Sequence, residues 1–100
     1  MRYVLTEAAR DDILQIAHYI RTEQHSPQNA KLVASRLRDH FRMISRHPGI
    51  GHYREELQDD SLRVSAVTGL LVIYDPVGKP LTILRVIHAA RDLRRIDPRA

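Results

Sequence analysis

Apolar residues along the chain fall first into two long stretches with helical spacing and then into short runs with strand spacing. From Ala9 they recur at Ile13, Ile16, Ala17 and Ile20, the one-sided repeat of an α-helix. Arg10, Asp11, His18 and Arg21 take the other side, which predicts an amphipathic helix of about four turns. Thr6 stands at its N-cap, and Glu7 sits favourably against the positive end of the helix dipole. The second stripe runs through Ala30, Val33, Ala34, Leu37, Phe41 and Ile44. Ser26-Pro27 is a strong start signal for it, with a capping hydroxyl followed by a residue whose φ is preset for a first turn. His47-Pro48-Gly49-Ile50-Gly51 ends it, because Pro and two Gly cannot continue a helix cheaply. The connection between the two is short, so they form an antiparallel hairpin.

Arg2 to Leu5 reads as a short strand. Residues 52–61 are polar and loop-like. Leu62 to Thr68 alternates in part, and Leu70-Leu71-Val72-Ile73-Tyr74 is a continuous apolar run, as an inner strand requires. Asp75 to Pro80 is a turn, and Leu81 to Ile87, rich in branched residues, is the third strand of this half. The basic tail from Arg91 onward reads as a short helix or a disordered end. The expected fold is therefore α+β: a two-helix antiparallel hairpin packed on one face of a small antiparallel β-sheet, as a single domain over residues 1–100. Ile13, Ile16, Ile20, Val33, Leu37, Phe41 and Ile44 should meet Val72 and Ile83 in its core.

Composition narrows the function classes. Sixteen Lys and Arg oppose twelve Asp and Glu, for a net charge of +4, and all but Lys31 and Lys79 of the cations are Arg. Arg forms planar, bidentate contacts with carboxylates and phosphates, so the expected partners are acidic protein segments or nucleic acid. A solvated basic surface accounts for +4 equally well. There is no cysteine, which excludes disulfides, thiolate catalysis and Cys-based zinc sites and fits a reducing cytoplasm. The opening residues turn acidic too soon for a signal peptide, and no apolar run approaches the roughly 20 residues of a membrane helix, so no membrane partner is expected.

Candidate chemistry is sparse. Among the six histidines no two stand three or four apart on one helix, the usual zinc spacing, so no metal and no cofactor are expected. A metal-free ribonuclease would need phosphate-holding cations, a base and an acid. Arg63, Arg85, His88 and Arg91 are the groups available, but hydrogen bonding to the sheet edge explains Arg85 and His88 more simply. Arg91, Arg94, Arg95 and Arg99 could touch nucleic acid, yet one Phe, four Tyr and no Trp offer little stacking surface.

Five segments, in order, resemble the ParE group of the RelE/ParE toxins over nearly the full length. Leu5-Thr6-Glu7-Ala8-Ala9-Arg10-Asp11-Asp12-Ile13 is similar to the family's opening, and Ile16-Ala17-His18-Tyr19-Ile20 to its helix continuation. His47-Pro48-Gly49-Ile50-Gly51 resembles the helix exit. Leu62-Arg63 with Gly69-Leu70-Leu71-Val72-Ile73-Tyr74 resembles the middle strands, and Ile83-Leu84-Arg85-Val86-Ile87-His88-Ala89-Ala90-Arg91-Asp92 the last strand and its exit. The departures favour ParE over RelE. Leu71 stands where RelE-type nucleases place an Arg, and no Tyr follows Tyr74; Leu70, in contrast, departs from a Tyr common to both branches and favours neither.

The resemblance implies a non-enzymatic toxin of a type II toxin–antitoxin system, of the plasmid-stabilising kind. On that resemblance it is expected to inhibit DNA gyrase and to be neutralised by an acidic, ParD-like antitoxin, with DNA met only indirectly through the antitoxin complex. Arg63, Arg85 and Arg91 are then expected to pair antitoxin carboxylates, and Arg91, Arg94, Arg95 and Arg99 to meet the target. The alternatives are a RelE-like, ribosome-dependent mRNA endoribonuclease, or a non-toxic relic that only binds antitoxin.

Overall fold

In the computed structural model, which describes residues 2–99, both helices begin where their capping residues stand. Helix α1 spans Glu7–Thr22, and the Thr6 hydroxyl accepts from Ala9 N at 3.1 Å. Helix α2 spans Pro27–Arg46, capped by Ser26 accepting from Asn29 N at 3.2 Å, with Pro27 in its first turn. Each cap satisfies one of the amide donors that a first helical turn leaves free.

The strands are β1 (Tyr3–Leu5), β2 (Arg63–Val67), β3 (Leu70–Asp75) and β4 (Leu81–His88), in spatial order β1-β4-β3-β2. β2, β3 and β4 form the expected antiparallel meander. Thr68 and Gly69 close the β2–β3 hairpin with φ of 46° and 81°, the paired positive values of a turn that matches strand twist, and Gly69 adopts its value without a Cβ penalty. The sheet is not wholly antiparallel, which corrects the expectation. β1 lies parallel to β4, with Leu5 beside Ile83, because the chain leaves β1 directly into α1 and only later returns to lay β4 alongside.

The helices cover one sheet face. Leu37, Phe41 and Ile44 of α2 and Ala9 of α1 pack on Leu70, Val72, Tyr74, Ile83 and Val86, with Ile13, Ile16 and Val33 partly buried at the margin. The expected core is thus in place, and Ile20 is buried as well. The other sheet face was not foreseen as a second core. Leu71, Ile73, Leu84 and Ile87 are covered there by Leu57 from the 52–62 loop and by Leu93 and Ile96 from the tail. The polar loop and the basic tail each place apolar residues on the sheet. The tail is therefore neither a regular helix nor a free end: Leu93–Arg95 is one turn of 3-10 helix, and Arg99 Nε donates to Asp59 Oδ2 at 2.9 Å.

β4 supplies both cores by breaking its own alternation. Tyr74 pairs with Ile83 and Ile73 with Arg85, so Leu84 is an extra residue in β4. The bulge sends Ile83 and Val86 to the helix side and Leu84 and Ile87 to the other, a three-residue spacing that a regular strand forbids.

Candidate binding groove

β1 covers β4 only from Leu81 to Ile83. Beyond that point α1 takes over from β1. Thr6 N donates to Ile83 O at 3.1 Å, and the Thr6 hydroxyl donates to Leu84 O at 2.8 Å while capping its own helix. One turn and a half later, Asp12 Oδ2 accepts from Val86 N at 3.0 Å. The same carboxylate holds Arg85 in a fork, Nε to Oδ2 at 2.7 Å and Nη2 to Oδ1 at 2.9 Å. The two side chains are 20% and 12% exposed, so this is a partly desolvated, charge-assisted pair. The Asp12 hydrogen bond raises the Arg85 pKa further above its ordinary value, against a smaller opposing effect of burial.

Past Asp12 the edge of β4 opens, with no strand beside it among the described residues. A groove of about 580 Å³ runs there between the C-terminal half of α1, the start of α2 and the β3–β4 edge. Ile16, Ile20, Val33, Leu70 and Val86 give it an apolar floor, and Gln15, Gln24 and Asn29 place amides along the helix side. Tyr19, 56% exposed, stands on one rim, with His88 and Arg91 on the other. The His88 ring is turned to its own loop, where Nδ1 accepts from Ala90 N at 3.1 Å. Arg91 is exposed and makes no ion pair among the described residues.

The sequence-predicted site residues therefore do not converge. Arg85 is committed to Asp12, and Arg63, on the edge strand β2, donates through Nη1 to Asp60 O and Leu62 O at 2.8 and 2.7 Å. Of the three residues expected to meet an antitoxin, only Arg91 lines the groove. Of those expected to meet a target, Arg94 bends back onto Asp92 at 3.2 Å and Arg99 onto Asp59, while Arg95 is exposed with no ion pair among the described residues. The backbone N–H and guanidinium of Arg94 hold the Asp92 carboxyl below its ordinary pKa. The Ser61 hydroxyl and then Arg99 pull Asp59 down to about 2.

Sequence reasoning missed Asp12 and Tyr19 as site residues, although both lie within the motif segments. The available signals were a second carboxylate beside Asp11 on an otherwise apolar flank, and an aromatic immediately before the buried Ile20. Leu71, at the position of the nuclease Arg, points into the tail-covered core and is buried. Among the described residues, no group of three His, Cys, Asp or Glu side chains could hold a metal ion. Among the same residues no helix is long and apolar enough to cross a membrane.

A search of curated proteins returns no match for the chain. The family model described as the ParE toxin of the type II toxin–antitoxin system, parDE, matches residues 3–93, from the first residue of β1 through Leu93 of the tail. The chain therefore belongs to the ParE toxin family of type II toxin–antitoxin systems.

Proposed function

We propose that this toxin acts by binding and not by catalysis, that its target is DNA gyrase, and that an acidic, ParD-like antitoxin segment neutralises it by lying in the groove beside β4. Family membership gives the toxin a cognate antitoxin; its chemistry and seat are the proposal. The observation that carries this reading is the open β4 edge above an apolar floor, with Arg91 unpaired at its mouth. An extended segment can add hydrogen bonds to such an edge, bury apolar side chains on Ile16 and Val86, and offer a carboxylate to Arg91. Against ribonuclease action, Arg85 is spent on Asp12 and Leu71 is buried. That leaves His88 with Arg91 alone, short of the several converging cations that a scissile phosphate requires.

The experiment is plasmid supercoiling by purified gyrase with the chain added. Loss of supercoiled product, restored by the antitoxin, is expected. Undiminished supercoiling, together with codon-phased mRNA cuts that vanish in His88→Ala, would transfer the assignment to the ribonuclease reading. Neither effect would leave the antitoxin-binding relic.

A further inference from the structure

The charge of the chain is concentrated on one helix. α2 holds five of the sixteen cationic side chains, Lys31, Arg36, Arg38, Arg42 and Arg46, against a single carboxylate, Asp39. That excess equals the whole net charge of +4, so the remaining 80 residues are balanced. All five cations are exposed. At about 100° per residue, Lys31, Arg38, Arg42 and Arg46 fall within one narrow arc of the face turned away from Leu37, Phe41 and Ile44. The one carboxylate within the helix, Asp39, reaches Arg42 at 3.5 Å in a highly exposed contact that water weakens.

We infer that this stripe is a binding surface for the phosphate backbone of duplex DNA, contacted by the toxin directly. The row from Lys31 to Arg46 is about 22 Å long at 1.5 Å per residue, the length of about six base-pair steps. Successive Arg four residues apart stand about 6 Å from one another, close enough to meet neighbouring phosphates on one strand. The arc carries no aromatic or large apolar anchor of the sort around which protein–protein hot spots form, and no ring on which an unpaired base could stack. Forked cations without such anchors suit a sequence-independent phosphate contact. This goes beyond the indirect contact through an antitoxin that the family resemblance suggests, and it does not depend on gyrase being the target.

The test is fluorescence anisotropy of a labelled 30-base-pair duplex with the full chain, titrated across a series of salt concentrations. About four phosphate contacts predict a slope of log K against log salt near −3.6, at about −0.9 per contact. Arg38→Gln/Arg42→Gln/Arg46→Gln should flatten the slope by two to three units, and Arg38→Lys/Arg42→Lys/Arg46→Lys should keep most of it. Circular dichroism should show both variants folded, since the substituted side chains face solvent. Arg91→Gln/Arg94→Gln/Arg95→Gln, which leaves α2 intact, should bind like wild type. No binding at low salt, an unchanged slope in the α2 glutamine variant, or loss of binding in the tail variant would each overturn the inference. Poly-glutamate of matched charge binding more tightly than the duplex would also overturn it, assigning the stripe to an acidic protein.

Discussion

Arg85 grips Asp12 through two hydrogen bonds from 73 positions away in the sequence, and the same carboxylate takes the backbone N–H next to Arg85. Asp12 thus stands in for the strand that β4 lacks on that side. Asp12→Ala would strand a partly buried cation and an edge amide together, at a cost of about 3 kcal/mol. Arg85→Ala leaves the Asp12–Val86 contact in place and should cost less, about 1–2 kcal/mol. Urea unfolding of the two single variants and the double variant measures their coupling, expected above about 1 kcal/mol. A coupling near zero would mean that the fork contributes no more than its exposed counterparts do.

Arg91 is the one predicted antitoxin contact that lines the groove without an ion-pair partner among the described residues. Arg91→Ala should weaken antitoxin binding by about 2–5 kcal/mol, the range for truncating one member of a buried charge pair. Arg63→Ala should change it little, because Arg63 serves loop carbonyls instead. Isothermal calorimetry with the cognate antitoxin separates them. Equal loss in both variants would place the acidic segment outside the groove.

Leu37 is 2% exposed at the centre of the helix-side core. Leu37→Ala should cost about 2–5 kcal/mol, a large share of the stability of a domain this size, and should lower Tm sharply. An unshifted melting curve by differential scanning calorimetry would contradict the packing described.

Gly51 has no room for a methyl group. A Cβ there would lie 2.5 Å from the hydroxyl oxygen of buried Tyr74, which itself accepts from Gly51 N at 2.9 Å and donates to Pro48 O at 2.8 Å. The backbone at Gly51 is extended, so the obstacle is steric and not conformational. Gly51→Ala should destabilise the fold by about 1–3 kcal/mol. In a Tyr74→Phe background the penalty should shrink, since the nearest clashing atom is gone. An equal penalty in both backgrounds would shift the cause to the ring carbons at 3.0 Å.

His40 couples stability to pH. Its Nε2 lies 2.8 Å from the Ser65 hydroxyl, and burial lowers its pKa from the ordinary 6.5. The unfolded chain then binds this proton more readily than the folded one, so stability falls as pH drops below 6.5 toward the lowered folded value, and levels off beneath it. Denaturant midpoints across that window should decline for the wild type and flatten for His40→Gln. Parallel curves would remove His40 from the account.

Both helices were legible residue by residue. Thr6 and Ser26 announce their starts, the Pro-Gly run announces the exit of α2, and the three-and-four spacing from Ala30 to Ile44 defines its buried face. The strands were legible as runs, and the last three as an antiparallel meander, but the pairing of β1 was not. Nothing local in Tyr3–Leu5 reveals a parallel partner almost a full chain length away. The bulge at Leu84 hid behind branched residues that suit either face. Leu57, Leu93 and Ile96 are isolated apolar residues among polar ones, with no period to mark them, so the second core was invisible until the sheet was folded. The groove suffered most. Its key carboxylate, Asp12, acts on a backbone amide of β4, and such contacts leave no trace in residue spacing.

The pairing of β1 with β4 has a consequence for how the molecule is born. Tyr3–Leu5 is made long before its hydrogen-bonding partner Leu81–Ile83, and Thr6 reaches Leu84 across 78 positions. During synthesis the first strand must wait while the helix hairpin forms beside it, and closing so long a loop is among the slower steps of folding. A chain cut short before β4 would keep its helices and lose the seam between β1 and β4, leaving β3 as a bare, largely apolar edge prone to pair with other chains. The groove beside β4 accordingly exists only once β4 has been made, and an antitoxin seated there as proposed would bind only toxin synthesised through that strand.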